Sequence, residues 1–260
     1  MASFLKKIVG SKFVERTKRK VIAKSGLFFS LKKLSPSTSD DLALVKILNT
    51  FKFDKVLDVG ANIGQFAESL IDFGYKGKII SFEPTSVVYH SLKKKSERKN
   101  NWTVAEKMAI GNADDFIEIN ISSNPLFNSI KEIDSDYTDY NADSGKMDSE
   151  TVRIAKIDSI WNEYVAEGER VFLKIDTQGF EKEVLDGATN SLENVSGIKI
   201  EMALQPIYKN VEWDVFDLMN FFKGRGFTCV GISKVAVNQQ SGIVHEVDGV
   251  FIKESLLKTS

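Results

Sequence analysis

Two acidic residues and two glycines are the side chains whose spacing points most directly to chemistry. Asp58 ends a short apolar run, Gly60 and Gly64 bracket a tight turn after it, and Glu83 follows a second apolar run. Glycine lets a backbone come close to a ligand, and the helix that opens after the turn directs its free N–H groups at the same place. A carboxylate at the end of the next strand can accept both hydroxyls of a ribose. This spacing predicts a nucleotide site.

The turn also narrows the type of nucleotide. A dinucleotide-binding turn has a third glycine for close packing of helix on strand, whereas Phe66 and Ala67 stand in that region of this chain. No phosphate-binding P-loop sequence is present. An adenosyl group without phosphates therefore fits best, with an apolar pair after the third strand as a thin wall against the adenine. The candidate cofactor-binding residues are Asp58, Gly60, Ala61, Asn62, Gly64, Phe66, Glu83, Pro84, Ala109 and Ile110.

Strands and helices alternate along most of the chain, which predicts an α/β fold around a mainly parallel sheet. Strands are expected near Lys55–Val59, Lys78–Phe82, Thr103–Lys107, Phe116–Ile121, Val171–Ile175, Gly197–Met202, Phe227–Ile232 and Gly249–Lys253. Helices are expected near Asp40–Leu48, Gln65–Phe73, Val87–Lys95, Ile157–Tyr164, Phe180–Gly187 and Trp213–Lys223, with Ser39 as the N-cap of the first.

Four short motifs together resemble the FkbM family of S-adenosylmethionine-dependent methyltransferases, over roughly Phe53 to Lys253. They are Asp58-Val59-Gly60-Ala61-Asn62-Ile63-Gly64, Phe82-Glu83-Pro84, Ala109-Ile110-Gly111 and Leu173-Lys174-Ile175-Asp176-Thr177-Gln178-Gly179-Phe180-Glu181. The resemblance implies a Rossmann-like class I methyltransferase fold, with a seven-stranded sheet and helices on both faces. It also implies S-adenosyl-L-methionine as the cofactor and O-methylation of a sugar, glycan or secondary-metabolite hydroxyl. One departure is Gln178, where many members carry Glu.

Methyl transfer needs a positioned acceptor oxygen and a group that removes its proton. Asp176 follows the fourth parallel strand and is the leading candidate to orient or deprotonate the acceptor. Lys174 is expected to keep Asp176 ionised, to bind a carboxylate of the acceptor, or to form a structural ion pair with Glu181 or Glu201. Glu201 ends the next strand and is expected to face the same cleft. His245 lies in a predicted hairpin and is a candidate general base, although a lone loop histidine is more often incidental.

No metal site is predicted, because no cluster of His, Cys, Asp and Glu has ligand spacing; magnesium through Asp176 and Glu201 is a lesser alternative. The single Cys229 precludes an internal disulfide, and no apolar run approaches the roughly 20 residues of a membrane span. Lys6 and Lys7 stand where a signal peptide would need apolar residues. These features favour a cytoplasmic protein.

The first 34 residues differ from the rest in charge. Residues 1–34 carry ten Lys or Arg and one acid, so this arm is near +9, and the remainder is near −10 because the whole chain has a net charge of −1. Apolar residues interleave with the charges. The arm is predicted to be helical, either as a cap on the domain edge or as a peripheral contact with an anionic membrane. Nucleic acid is not expected as a partner, because the acidic body would repel it.

The chain therefore divides into the basic arm (1–34), a connecting segment with a cap helix (35–50) and a methyltransferase domain (51–260). The stretch Asn124–Glu150 is rich in Ser, Asp and Asn and is expected to be an acceptor-side lid or a disordered loop. Two other functional classes remain open. One is a nicotinamide-dependent Rossmann oxidoreductase, and the other is a non-catalytic membrane-associated module that uses the basic arm.

Overall fold

The computed structural model describes residues 35–122, 130–131, 146–205, 208–210, 212–238 and 240–258. The helices are α1 (Asp40–Thr50), α2 (Gln65–Asp72), α3 (Ser86–Ser96), α4 (Ile157–Tyr164), α5 (Glu181–Asp186), α6 (Val215–Gly224) and α7 (Glu254–Leu257). The strands are β1 (Lys55–Val59), β2 (Lys78–Phe82), β3 (Trp102–Val104), β4 (Ala109–Ile110), β5 (Asp115–Ser122), β6 (Lys146–Ala155), β7 (Val171–Ile175), β8 (Val195–Ala203), β9 (Phe227–Val237) and β10 (Val244–Lys253).

Seven strands form the central sheet, in the order β3-β2-β1-β7-β8-β10-β9. The pairs β3–β2, β2–β1, β1–β7 and β7–β8 are parallel, and β10 runs antiparallel to both β8 and β9. The prediction of a mainly parallel seven-stranded sheet is confirmed. β2 lies on one side of β1 in the sheet, and β7 lies on its other side. Ligands of open α/β sheets bind at such a switch point, outside the carboxyl ends of the strands.

Helices cover both faces of the sheet because the strands are apolar on both sides. On one face Leu57 and Leu173 belong to a core cluster with residues of α4, α5 and α6. On the other face Val56 and Phe172 pack with residues of α1, α2 and α3. Buried residues throughout β1 and β7 are typical of parallel strands inside a sheet that is covered twice.

A second, three-stranded sheet of order β4-β6-β5 was not predicted from the sequence. β5 and β6 form an antiparallel pair, and Ala109 and Ile154 join Phe180 in a small apolar cluster. This corrects the expectation for Asn124–Glu150, since residues 146–150 belong to β6. The segments 123–129 and 132–145 of the expected lid lie outside the described residues.

The segment before the sheet agrees with its prediction where it is described. Ser39 caps α1, and its side chain accepts a hydrogen bond from the Leu42 backbone N–H at 3.3 Å. The helix packs Leu44, Val45 and Leu48 into the core beside α2. The basic arm, residues 1–34, lies outside the described residues, so its predicted role stays a prediction.

Candidate active site

A cleft of about 700 Å³ opens above the carboxyl ends of β1, β2 and β7. Three connecting segments and the start of the small sheet supply its walls. The lining includes Gly60 and Asn62 after β1, Glu83, Pro84 and Thr85 after β2, Ala109 and Ile110 in β4, and Asp176, Thr177 and Gln178 after β7. Seven of the predicted site residues are therefore brought together here: Gly60, Asn62, Glu83, Pro84, Ala109, Ile110 and Asp176.

The two glycines of the turn are needed for reasons other than ligand approach. Gly60 has φ +74°, and a Cβ there would lie 1.8 Å from the Asp176 backbone oxygen. Gly64 has φ +86°, and a Cβ there would lie 2.5 Å from the Trp102 ring. Gly60 lines the cleft and also lets the β1 turn touch the β7 loop, whereas Gly64 is not among the lining residues and lets the turn pack on Trp102.

Glu83 is held in a fixed orientation at the edge of the cleft. Its Oε2 accepts the Asn62 backbone N–H at 3.0 Å, and its Oε1 accepts the Thr85 backbone N–H at 2.9 Å and the Thr85 hydroxyl. Burial raises the pKa of this carboxyl, and the hydrogen bonds from Thr85 and Asn62 partly offset that rise. A carboxylate has about four lone-pair directions, and these three hydrogen bonds leave one of them, on Oε2, for a further donor.

Asp58 lies beneath the cleft and is not among its lining residues. Its Oδ2 accepts the Ser81 hydroxyl at 2.8 Å, and its Oδ1 lies 3.2 Å from Lys174 Nζ. Trp102 Nε1 donates in turn to Ser81 Oγ at 2.9 Å, so a polar row runs across β3, β2, β1 and β7. Asp58 is fully buried, and its expected contact with the ligand is replaced by a supporting role in this row.

Lys174 is also a buried support rather than a group that faces the cleft. Its Nζ donates to the Gly60 carbonyl at 2.8 Å and lies 3.4 Å from Asp176 Oδ2. Its ion-pair partners are Asp58 and Asp176, not the expected Glu181 or Glu201. The same cation therefore ties the β1 turn to the carboxylate that follows β7.

Asp176 is the acid that faces the cleft from β7, with a side chain that is 35% exposed. Burial by itself would raise the pKa of this carboxyl, but the positive charges of Lys174 and Lys199 more than offset that effect and keep the pKa below its usual value. Gln178 Nε2 also donates to Asp176 Oδ1 at 2.8 Å. Asp176 is therefore ionised at neutral pH.

A second, smaller cavity lies on the other side of the Thr177–Gly179 loop. Its walls include Glu201 from β8, Glu246 from β10, Tyr208 and Trp213. Burial and neighbouring acids raise the pKa of Glu201 well above its usual range and that of Glu246 to about 8. Glu201 thus lines this second cavity and not the first, although Gln178 Nε2 donates to its Oε2 at 3.2 Å.

Three other predicted residues are placed away from both cavity walls. Ala61 is buried and donates its N–H to the Phe82 carbonyl at 3.0 Å. Phe66 lies with its ring 5.6 Å from Lys174 Nζ. His245 lines neither of these two cavities, and its carbonyl accepts from the Leu204 N–H at 2.7 Å. Its neighbour in β10, Glu246, lines the second cavity, and the role predicted for His245 stays a prediction.

Comparison with known families identifies the chain. The model of the methyltransferase FkbM domain matches residues 58–229, which is more than half of the sequence. The chain belongs to the FkbM methyltransferase family. The fold is accordingly the class I methyltransferase fold, and S-adenosyl-L-methionine is the cofactor. The predicted resemblance, fold class and cofactor are all confirmed.

Solved structures with a similar chain path are distant in sequence. TehB from Haemophilus influenzae is 12% identical with a TM-score of 0.47, and the alignment covers 83% of this chain and 62% of that one. Magnesium protoporphyrin IX methyltransferase from Synechocystis, solved with bound S-adenosylmethionine, is 10% identical with a TM-score of 0.45 and coverages of 84% and 79%. A putative RNA methyltransferase from Pyrococcus horikoshii is 13% identical with a TM-score of 0.44 and coverages of 91% and 98%. A search of curated proteins found no match.

The described part of the FkbM chain shows neither a metal-binding cluster nor a helix that could span a membrane. Among the residues that the structure describes, no group of three or more His, Cys, Asp and Glu side chains is arranged to hold a metal ion. Within the same part of the chain, no helix combines the length and the apolar character needed to cross a bilayer.

Sequence reasoning missed three residues of the FkbM site. Thr85 donates its hydroxyl to Glu83 Oε1. Gln178 donates to both Asp176 and Glu201, and Tyr208 donates its hydroxyl to Gln178 Oε1. Gln178 was noticed only as a departure from the family pattern. The signal that could have found it is the Gln178-Gly179 pair, which two residues separate from the end of β7 and in which both residues have positive φ. Tyr208 had no local signal, because only tertiary contact brings it near the loop.

Proposed function

We propose that this protein is an O-methyltransferase that acts on a hydroxyl of a sugar, glycan or secondary metabolite. The observation that carries the proposal is the ionised Asp176 carboxylate on the wall of the cleft, which Lys174 and Gln178 both contact. A fixed carboxylate is a hydrogen-bond acceptor, and a hydroxyl is a matching donor. A hydroxyl of the acceptor would thus donate its hydrogen bond to Asp176, and this contact would point the oxygen into the cleft.

The cleft fits the adenosyl part of the cofactor at its other end. Asn62 and Thr85 hold Glu83 in place, and its Oε2 keeps acceptor capacity for a ribose hydroxyl. Ala109 and Ile110 provide an apolar wall beside it for the adenine. When bound, S-adenosyl-L-methionine supplies an activated methyl group on its sulfonium.

The chain's own residues then position the acceptor and take its proton. Asp176 is a weak base, because its pKa is held below its usual value. That weakness is compatible with hydroxyl methylation, since the O–H proton becomes strongly acidic as the new O–CH₃ bond forms, and an aligned carboxylate can accept it then. Asp176 can afterwards release the proton to water. Orientation of the oxygen is therefore the larger part of the proposed role.

The walls of the second cavity combine polar and apolar groups. Glu201, Glu246 and Tyr208 offer several polar groups on its wall, and the Trp213 ring provides an apolar face. Sugars present hydroxyls at their rim and C–H groups on their faces, which matches such a mixed surface. Family membership favours methyl transfer over the nicotinamide-dependent oxidoreductase that the sequence left open.

The test is methyl transfer from isotope-labelled S-adenosylmethionine to a panel of mono- and disaccharides, nucleotide sugars and phenolic metabolites. We expect label on a hydroxyl of one class, identified by mass spectrometry of the product. The Asp176→Asn variant should bind S-adenosylhomocysteine as the wild type does but lose most turnover. Transfer to nitrogen or carbon acceptors alone, or full activity of Asp176→Asn, would contradict the proposal.

A further inference from the structure

The loop between the two cavities holds an unusual backbone conformation. Gln178 has φ +58° and Gly179 has φ +93°. Glu181 Oε1 anchors this loop by accepting the Thr177 N–H at 2.8 Å and the Gly179 N–H at 3.3 Å. A left-handed conformation is uncommon for a residue with a side chain and persists where surrounding contacts determine it. The loop is therefore fixed, and so is the point from which the Gln178 side chain starts.

The Gln178 amide connects the two cavities through three hydrogen bonds. Its Nε2 donates to Asp176 Oδ1 at 2.8 Å and to Glu201 Oε2 at 3.2 Å, while its Oε1 accepts the Tyr208 hydroxyl. An amide nitrogen donates and an amide oxygen accepts, so the reversed orientation would place the oxygen against two carboxyl groups. The network thus defines which way the amide faces.

Tyr208 is well placed to enforce that orientation. Its side chain is buried, and its ring packs so closely on Gly179 that a Cβ there would lie 2.9 Å from the ring. The hydroxyl has little freedom to move away from Gln178 because the ring is held by the same loop. Removing the hydroxyl would leave the rest of the contact in place and free the amide oxygen.

We propose that Gln178 is a positioning residue for methyl transfer, which holds the Asp176 carboxylate toward the cleft, and that Tyr208 sets the orientation of the Gln178 amide. This inference rests on the proposed function, because it assumes that Asp176 meets the acceptor oxygen. It adds that the geometry of Asp176 depends on a contact made from the second cavity.

Other charged and titratable groups surround Asp176 and must be held constant in any test. They are Lys174 on β7, Lys199 and Glu201 on β8, Glu181 on α5, Tyr208 before α6, and Glu246 and Asp248 on β10. None of them is changed in the variants described below, apart from Tyr208, which loses only its hydroxyl. A change in the behaviour of Asp176 in these variants is therefore due to the hydrogen-bond network.

The probe is the ratio of two affinities measured by calorimetry. Sinefungin carries an amine where S-adenosylmethionine carries its methyl group, whereas S-adenosylhomocysteine carries nothing there. An ammonium beside the Asp176 carboxylate should make the wild type prefer sinefungin by roughly tenfold or more. The Asp176→Asn variant should lose this preference. Effects on ribose binding cancel in the ratio, because both ligands have the same ribose.

Two variants test the inference, and one serves as their control. Tyr208→Phe and Gln178→Met should each lower the preference for sinefungin by roughly two- to tenfold while S-adenosylhomocysteine affinity stays near that of the wild type. Tyr75→Phe is the matched control, because Tyr75 is a buried tyrosine whose hydroxyl donates to the Phe53 carbonyl at 3.1 Å, away from both cavities. Tyr75→Phe should prefer sinefungin over S-adenosylhomocysteine to the same extent as the wild type.

A change of pH separates positioning from general loss of structure. The Gln178 hydrogen bond helps to lower the pKa of Asp176, so Gln178→Met should lose more of the preference between about pH 7.5 and about pH 5 than the wild type does. Suppose that the preference for sinefungin falls in Asp176→Asn but stays unchanged in both Tyr208→Phe and Gln178→Met. This result would overturn the inference and leave the proposed function standing. An unchanged ratio in Asp176→Asn would overturn both.

Discussion

Glu83 is the side chain on which binding of the cofactor should depend most directly. In Glu83→Gln one carboxylate oxygen becomes an NH₂ group, which would face the Asn62 or the Thr85 backbone N–H, donor against donor. We expect S-adenosylhomocysteine to bind about 1.5–3 kcal/mol more weakly, or roughly ten- to a hundredfold. Calorimetry checks this, with Glu68→Gln as the control because Glu68 pairs with Lys95 on the surface. Equal losses in both variants would contradict the assignment.

The same carboxyl should make cofactor affinity depend on pH. Burial raises the pKa of Glu83 above the ordinary 4.5, and the ionised form is the stronger acceptor for a ribose hydroxyl. Affinity should therefore be complete above this raised pKa and fall as the pH drops through it, at a higher pH than for an ordinary glutamate. A titration of S-adenosylhomocysteine binding from about pH 8 to about pH 5 measures the fall. Glu83→Gln should show a flatter profile.

The predicted residues that line the cleft share a feature that the chain itself displays. Glu83, Pro84 and Asp176 come directly after strands whose apolar runs are easy to recognise, and parallel strands end at the same edge of a sheet. Asp58 and Lys174 lie inside the strands, where facing the cleft or the core depends on which helix covers them. That choice is made by tertiary packing, so the sequence did not reveal that both residues form a buried support.

At the level of elements, the contact between the β1 turn and the β7 loop is the closest in the site. Gly60→Ala adds a Cβ that would lie 1.8 Å from the Asp176 carbonyl oxygen, at a φ of +74°. Gly74→Ala is a matched control, because Gly74 has φ +95° with no atom within 4 Å of the added Cβ. The control should cost about 1–2 kcal/mol through backbone strain alone.

We expect Gly60→Ala to cost clearly more than Gly74→Ala in free energy of unfolding, because the β7 loop must move as well. Urea denaturation measures the difference. Calorimetry should also show weaker S-adenosylhomocysteine binding for Gly60→Ala only. If the two variants were equally stable and bound equally well, the close contact would have no role in holding the site together.

The polar row that crosses four strands leads to a second prediction about elements. Asp58→Ala leaves the Lys174 ammonium in the sheet with one of its two acidic partners removed. Removing one member of a buried pair typically costs about 3–5 kcal/mol, measurable by urea denaturation. Glu254→Ala on α7 removes an exposed partner of Lys258 and should cost less than about 1 kcal/mol. Similar losses in the two variants would show that the row contributes little.

Elements with a local signal were predicted well, and the others were not. The predicted bounds of β1, β2, β7 and α4 agree with the structure. β4 has only two residues and was missed. β6 was taken as a loop over residues 146–150, because its polar start resembles a linker and its pairing with β5 supplies the order that the sequence lacks. Strands that depend on a partner in this way cannot be recognised by periodicity alone.

For the whole molecule, strand order rather than composition decides where the site lies. Neither apolar content nor charge predicts that β7 lies beside β1, and the prediction of seven strands came from the family resemblance. Once β2 and β7 flank β1, the segments after all three strands meet at one edge. This explains how Glu83 and Asp176, 93 residues apart in sequence, come to line one cleft.

Charge is also distributed unevenly over the molecule, and this gives the last prediction. Residues 1–34 are near +9 and the remainder is near −10. An anionic membrane should repel the acidic body, so any binding must come from the arm, where each basic residue contributes about 1 kcal/mol near the surface. We expect the full chain to sediment with vesicles that contain anionic lipid and to be released from them by salt. It should not sediment with neutral vesicles.

A protein of residues 35–260 distinguishes this role of the arm from that of a cap on the domain. If the arm contacts membrane, the shortened protein should lose vesicle binding but keep its melting temperature and its affinity for S-adenosylhomocysteine. If the arm is a cap, the full chain should not bind vesicles, and shortening should lower the melting temperature, because a buried apolar face would be exposed. The two outcomes differ in both measurements, so one pair of proteins decides whether the acceptor is to be sought at a membrane surface.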